Sequence, residues 1–374
     1  MKIVILSSAY PPQLDGIGDH TGQLGAELAV QGHEVTVITA ETHKPQNEPR
    51  LRLVPCFDSS RSETLSRVPG AIAEFCPDVD WVLLQHNPFG FGKRGWAPGL
   101  PRLLARLKRE KKLRIAVMFH ETCVPRIWGK FLLMWLWQYP QFRRVCAATD
   151  VAFVSTTRWQ SEISRVRPDL ETHHLPVGSN IPVCGVSREE ARRQLGIPTD
   201  AIVVGCFGSA HKSRLITWIR DAVENLKNLG LHPVMMYVGP DSKIVTGIFP
   251  PELLRDEGIV SAPDAALRIK SMDAVLTPFV DGISTRRTSA IAALVNGVPI
   301  FSTLAPHSDA CWASMPEACG GLSNIDGGSA AFSDMVIKRF CNRVPHDEEA
   351  FQSFCHQFRW PEIASTVISN LRLA

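Results

Sequence analysis

The sequence predicts an α/β protein made of two Rossmann-like halves. Short apolar runs alternate with helical patterns, which marks a parallel sheet wrapped by helices. The alternation runs to about residue 175 and restarts near residue 201. Between them lies Leu175-Pro176-Val177-Gly178-Ser179-Asn180-Ile181-Pro182, a stretch with the composition of a linker. The length of 374 residues suits two or three domains of about 150 residues each.

The elements follow in order. Residues 2–7 read as a first strand, followed by the loop Tyr10-Pro11-Pro12-Gln13-Leu14-Asp15-Gly16-Ile17-Gly18. Residues 19–31 read as a helix, because Leu24, Leu28 and Ala29 share a face and Gly32 can end it. Further strands are read at 34–39, 81–85, 115–120 and 151–155. In the second half, strands are read at 201–207, 233–238, 274–278 and 298–302. A helix closed by Gly230 spans 215–229, and residues 281–296 form a loop and helix ended by Gly297.

Composition narrows the function. Hydrophobic residues make up 45% and charged residues 21%, as in ordinary soluble domains. A net charge of +3 does not call for a nucleic-acid partner. The ten cysteines form no CxxC and no zinc-finger spacing, so they read as reduced, and no metal is expected. The apolar start at Ile3–Leu6 is too short for a signal peptide, and no run reaches the roughly 20 residues of a membrane span. The expectation is a cytoplasmic protein, with a membrane surface as a candidate partner.

Five segments carry chemistry, each with a plainer rival. Gly16-Ile17-Gly18 lets the backbone approach a phosphate or sugar at a helix N-terminus, or is a plain tight turn. It is not GxGxxG, and no acidic residue ends the second strand where a dinucleotide ribose would want one. His120-Glu121 ends a strand, where a His can hydrogen-bond a sugar hydroxyl or shuttle a proton, or serve structure alone. His86 has the same position and the same rival.

Gly208-Ser209-Ala210-His211-Lys212-Ser213-Arg214 puts cations at a strand-to-helix turn. They work against the helix dipole, which favours an anion ligand over packing. Asp281-Gly282-Ile283-Ser284-Thr285-Arg286-Arg287-Thr288-Ser289 is the strongest anion-binding signal, rich in hydroxyls and charge before an apolar helix. Residues 131–139, with Arg126, Lys130, Arg143 and Arg144 around them, read either as an interfacial segment facing anionic lipid or as a buried helix.

Four segments together resemble the family 4 retaining glycosyltransferases of the GT-B fold. The opening with Gly16-Ile17-Gly18 and Gly32-His33-Glu34-Val35-Thr36-Val37 resembles that family's start. Leu175-Pro176-Val177-Gly178-Ser179-Asn180 resembles its interdomain segment. Asp281-Gly282-Ile283-Ser284 with Ala292-Ala293-Leu294-Val295-Asn296-Gly297-Val298-Pro299-Ile300 resembles its donor-binding segment. Phe358-Arg359-Trp360-Pro361-Glu362-Ile363-Ala364 resembles its last helix.

The resemblance implies two Rossmann-like domains facing across a cleft. Residues 1–180 would hold the acceptor and 181–355 the donor, with a helix over 356–374 packing back on the first domain. It implies transfer of a sugar from a nucleotide-diphosphate donor to an acceptor hydroxyl, with retention, no cofactor and no metal. The acceptor would be a glycan or a lipid-linked intermediate, as in polysaccharide or glycolipid synthesis.

By the family's motifs, His120 touches the transferred sugar, Lys212 grips the diphosphate and Asp281 orients the donor. Gly16, Ile17, Gly18, Gly208, Arg214, Gly282, Ile283, Ser284, Thr285, Arg286 and Ser289 would line the donor site. The chain departs from the pattern in two places. Ser289 stands where the family has a second Glu that binds ribose, and no Arg precedes Lys212. Arg286 or Arg287 is the candidate replacement for that charge. The rival functions are a silent glycan-binding or scaffold protein and a nucleotide-sugar epimerase.

Overall fold

The computed structural model describes residues 1–13, 15–44, 46–342 and 347–374. Leu14 of the glycine–proline loop lies outside the described residues. The chain divides into two compact units, Met1–Pro176 with Trp360–Ala374, and Val177–Arg359. These divisions fall four residues from the boundaries expected at 180 and 355.

The first unit holds strands β1 (Lys2–Leu6), β2 (Glu34–Ala40), β3 (Gln46–Glu48), β4 (Leu51–Phe57), β5 (Trp81–His86), β6 (Arg114–Phe119), β7 (Val151–Val154) and β8 (Thr172–His174). Among the described residues they form one sheet, ordered β3-β4-β2-β1-β5-β6-β7-β8. Only the β3–β4 pairing is antiparallel. Ile3 to Leu6 are fully buried, as a strand covered on both faces requires. The chain reverses direction across the sheet between β1 and β5, and ligands of such sheets gather beyond the carboxyl ends at that switch point.

The first helix is Gly16–Val30 and begins three residues before the expected start. The Asp15 side chain explains this, accepting the Ile17 and Gly18 amides at 2.8 and 2.9 Å as an N-cap. Gly18 is needed for packing, since a Cβ there would lie 3.1 Å from the Tyr10 amide nitrogen. The C-terminal helix Trp360–Leu373 packs on this first helix within the same unit. Leu24, Leu28, Ile363, Val367 and Leu371 are at most 1% exposed there. Each such burial contributes roughly 1.5–3 kcal/mol, which fastens the end of the chain to its beginning.

The second unit holds β9 (Ile202–Phe207), β10 (Pro233–Val238), β11 (Leu254–Gly258), β12 (Ala274–Leu276), β13 (Ile300–Leu304) and β14 (Gly320–Asn324). Their order is β11-β10-β9-β12-β13-β14, all parallel. This is the doubly wound order, with its switch point between β9 and β12. Strand β13 starts at Ile300 and not at 298, because Gly297 (φ +74°) and Pro299 carry the turn out of the Thr288–Val295 helix.

Candidate functional site

The loops after β9 and β12 meet at the switch point of the second unit. After β9, Gly208 turns the chain with φ +94°. The Asp241 carboxylate then accepts Ser209 Oγ at 2.7 Å and the Ala210 amide at 2.8 Å. This holds the loop open on one side, so Lys212 is exposed while Arg214 turns inward at 7% exposure. Arg214 and Phe279 pair through an isolated backbone bridge, which carries the Arg214 side chain over the end of the sheet.

Arg214 is the centre of the cluster. Its Nη2 donates to Ser289 Oγ at 3.1 Å, and its Nη1 lies 2.9 Å from Cys206 Sγ. Its guanidinium stacks on the Phe279 ring at 5.1 Å, and Arg287 stacks on the same ring at 4.0 Å. The Nε of each arginine is buried without a hydrogen-bond partner. Burial holds the Arg287 guanidinium below its ordinary range; Asp281 opposes the shift and Arg286 and Arg214 reinforce it. Arg287 Nη2 pairs with Asp281 Oδ1 at 2.5 Å. Cations thus crowd a site whose nearest carboxylate is already engaged, an arrangement suited to an incoming anion.

Several expectations change on this geometry. Lys212, expected to grip a diphosphate, is exposed, and Arg214 takes the inward place. Asp281, expected to face a sugar, faces Arg287. Arg286 is exposed, whereas Arg287 lies on Phe279. The Ile283 amide donates to Thr303 O at 2.8 Å, and its side chain is buried in the core. The Thr285 amide and hydroxyl donate to the buried Asp309 at 2.7 and 2.9 Å. These amides build the loop and are not presented to a ligand. Ser284 is buried.

Gly282 is required for conformation, with φ +77° and a Cβ that would meet Ser308 Oγ at 2.3 Å. Gly282→Ala should therefore lower stability by about 1–3 kcal/mol. Urea unfolding checks this, and an unchanged midpoint would show that the loop relaxes freely.

The first unit gathers a second polar group at its own switch point. His120 Nε2 donates to Gln85 Oε1 at 2.7 Å. The His120 carbonyl accepts Ser155 Oγ at 3.2 Å and Trp159 Nε1 at 3.1 Å. His20, from the first helix, sits edge-on to His120 at 4.8 Å and to Trp360 at 5.3 Å. It is 1% exposed, with neither ring nitrogen hydrogen-bonded. Burial pushes its pKa down to about 4, and the neighbouring Gln85 side chain opposes the shift.

His86 is likewise held at about 4 by burial, while its Nδ1 donates to Glu121 O at 2.9 Å. His20 and His86 are therefore neutral at pH 7 and not cations. The Ile17 and Gly18 amides are capped by Asp15, so the expected backbone approach to a phosphate is filled by a side chain. Sequence reading passed over His20. Its signal was one polar residue on the inward face of an amphipathic helix, just after the glycines.

No family model matches the chain. A stretch of 46 residues is 52% identical to a candidate colanic acid biosynthesis glycosyl transferase, WcaI, of Escherichia coli (strain K12). That stretch spans 12% of this chain and 11% of the relative. Solved structures match along the full length, two of them as follows. Sucrose-phosphate synthase from Thermosynechococcus elongatus is 15% identical, with TM-score 0.72, over 100% of this chain and 98% of its own. The catalytic domain of starch synthase IV from Arabidopsis thaliana, bound to ADP and acarbose, is 12% identical, with TM-score 0.65, over 100% and 99%. The fold is GT-B, two parallel-sheet α/β domains.

Proposed function

We propose that the chain is a retaining glycosyltransferase that moves a sugar from a nucleotide-diphosphate donor to an acceptor hydroxyl. The observation that carries this is the Arg214–Phe279–Arg287 cluster beside Ser289 at a doubly wound switch point. The similarity to glycosyltransferases and to an ADP-bound starch synthase supports the same reading. The acceptor belongs to a glycan, polysaccharide or glycolipid, and the protein works in the cytoplasm.

In this reading the second unit takes the donor. Arg214 and Arg287 receive the departing diphosphate, and Ser289 Oγ adds a hydrogen bond once Arg214 swings onto the phosphate. A bond forms between the acceptor oxygen and the anomeric carbon as the bond to phosphate breaks. The acceptor proton passes to the departing phosphate oxygen, so no strong general base is required. Preorganised cations supply leaving-group stabilisation without a metal. His120 and its partners in the first unit hydrogen-bond sugar hydroxyls.

The competing reading is a silent binder, favoured by Ser289 and by the Asp281–Arg287 pair. A thermal-shift panel of nucleoside diphosphates and their sugar esters decides. Stabilisation by one nucleoside diphosphate at 100 times its Kd should reach about 2.7 kcal/mol. A flat panel would leave a glycan or partner as the ligand and remove the transferase reading.

A further inference from the structure

Residues 89–148 of the first unit carry thirteen Lys and Arg against two Glu, a surplus of +11 in a chain whose total is +3. The large apolar side chains on this stretch are unusually exposed: Trp128 92%, Leu133 60%, Trp96 57%, Leu136 57% and Ile127 52%. They lie together. Trp137 Nε1 donates to Arg94 O at 3.2 Å, tying the loop after β5 to the helix Lys130–Ala148. A groove of about 550 Å³ runs between Trp96, Pro101, Leu136 and Trp137, with Arg102 and Arg144 among its walls.

The helix is buried along one half and exposed along the other. Its C-terminal half buries Phe142, Val145 and Cys146. Its N-terminal half presents Leu133 and Leu136 outward, and Arg126 stacks on Trp135 at 5.2 Å. Arg94, Arg126, Lys130, Arg143 and Arg144 are all exposed around this face.

We infer that this face docks on an anionic membrane surface, with Trp128, Ile127, Leu133 and Leu136 in the interface and the cations against lipid phosphates. Each Lys or Arg near such a surface adds to the attraction, and indole rings favour the headgroup level. A second copy of the same face would bring two like-charged surfaces together, which argues against self-association. A nucleic acid would use the cations but leave Ile127, Leu133 and Leu136 without a role. No helix among the described residues is long and apolar enough to cross a membrane, so the contact is peripheral.

The docking loops follow β5 and β6, the same strand ends that carry His86 and His120. The corollary is that the acceptor hydroxyl arrives on a membrane lipid, and this corollary rests on the transferase reading.

The test is co-sedimentation of the full chain with phosphatidylcholine vesicles, with and without phosphatidylglycerol. Pelleting should be about tenfold greater on the anionic vesicles and should fall as salt rises. Trp128→Ser with Leu133→Ser should abolish it, as should Arg143→Glu with Arg144→Glu. All four side chains are exposed, so thermal melts should match the parent. Equal pelleting on both vesicle types, or none, overturns the inference. So does loss of a dimer, or of RNA binding, in the same variants without any vesicle effect. Nucleotide thermal shifts on the same samples separate the two readings: vesicle binding without any nucleotide shift removes the transferase and leaves the docking face, and the converse removes only the docking face.

Discussion

Arg214→Ala should reduce kcat/KM about 10²–10³-fold, while Lys212→Ala leaves it within about twofold. Removing one preorganised donor to a developing oxyanion costs roughly that much, and Arg214 is the cation turned into the cluster. Lys212 is exposed, so its charge is screened and its loss matters little. A structural role predicts a different pattern. If Arg214 only held the loop, Arg214→Ala would lower the melting temperature and spare nucleotide affinity in proportion to folded protein. Arg214 is the weaker of the two charges that hold the Arg287 guanidinium below its ordinary range, and its own buried bond to Ser289 is lost with it. The expected result is a nucleotide-dependent shift lost beyond any change in the unliganded melting temperature. Arg214→Lys keeps the charge without the planar fork and should recover part of the affinity. Unchanged nucleotide affinity in Arg214→Ala would remove the anion assignment for this cluster.

The sequence carried the fold clearly where strands are buried on both faces. Residues 2–6, 81–86 and 202–207 are nearly continuous apolar runs, and nothing but a covered parallel strand suits them. Strands β4, β8, β11 and β14 were not legible. Each lies at or next to a sheet edge, where one-sided exposure breaks the apolar run. Arg52 and Pro55 interrupt β4, and β11 reads Leu254-Arg255-Asp256-Glu257-Gly258. The Glu257 carboxylate there bridges Arg255 and Arg268, a charged solution that hydrophobic periodicity cannot register.

The site was legible in place but not in person. The loops after β9 and β12, read as chemical segments, come together at the switch point of the second unit. Which cation turns inward depends on Asp241 drawing back Ser209 and Ala210, and Asp241 lies in a loop about 30 residues further along the chain. The same limit hid Asp309, which takes the Thr285 amide and hydroxyl. It also hid the Arg287–Asp281 pair, since six residues of loop leave orientation free until Phe279 supplies a ring for the guanidinium.

Acidification should weaken the first unit before the carboxylates titrate. His20 and His86 have pKa values near 4 in the folded chain, against about 6.5 when unfolded. Between those values the unfolded chain binds protons that the native chain refuses, so stability falls as pH falls from about 6.5 toward 4. Each histidine contributes up to about 1.4 kcal/mol per pH unit across that window. Two of them therefore remove several kcal/mol from a typical total of about 5–15. Urea midpoints at pH 7 and pH 5 measure the loss. His20→Leu should flatten the dependence by about half. His86→Gln should flatten it similarly but also cost stability at pH 7, since it disturbs the bond to Glu121 O. An identical pH slope in parent and both variants would mean that the imidazoles reach solvent when protonated, and that the neutral cluster at the end of β5 and β6 is not held as described.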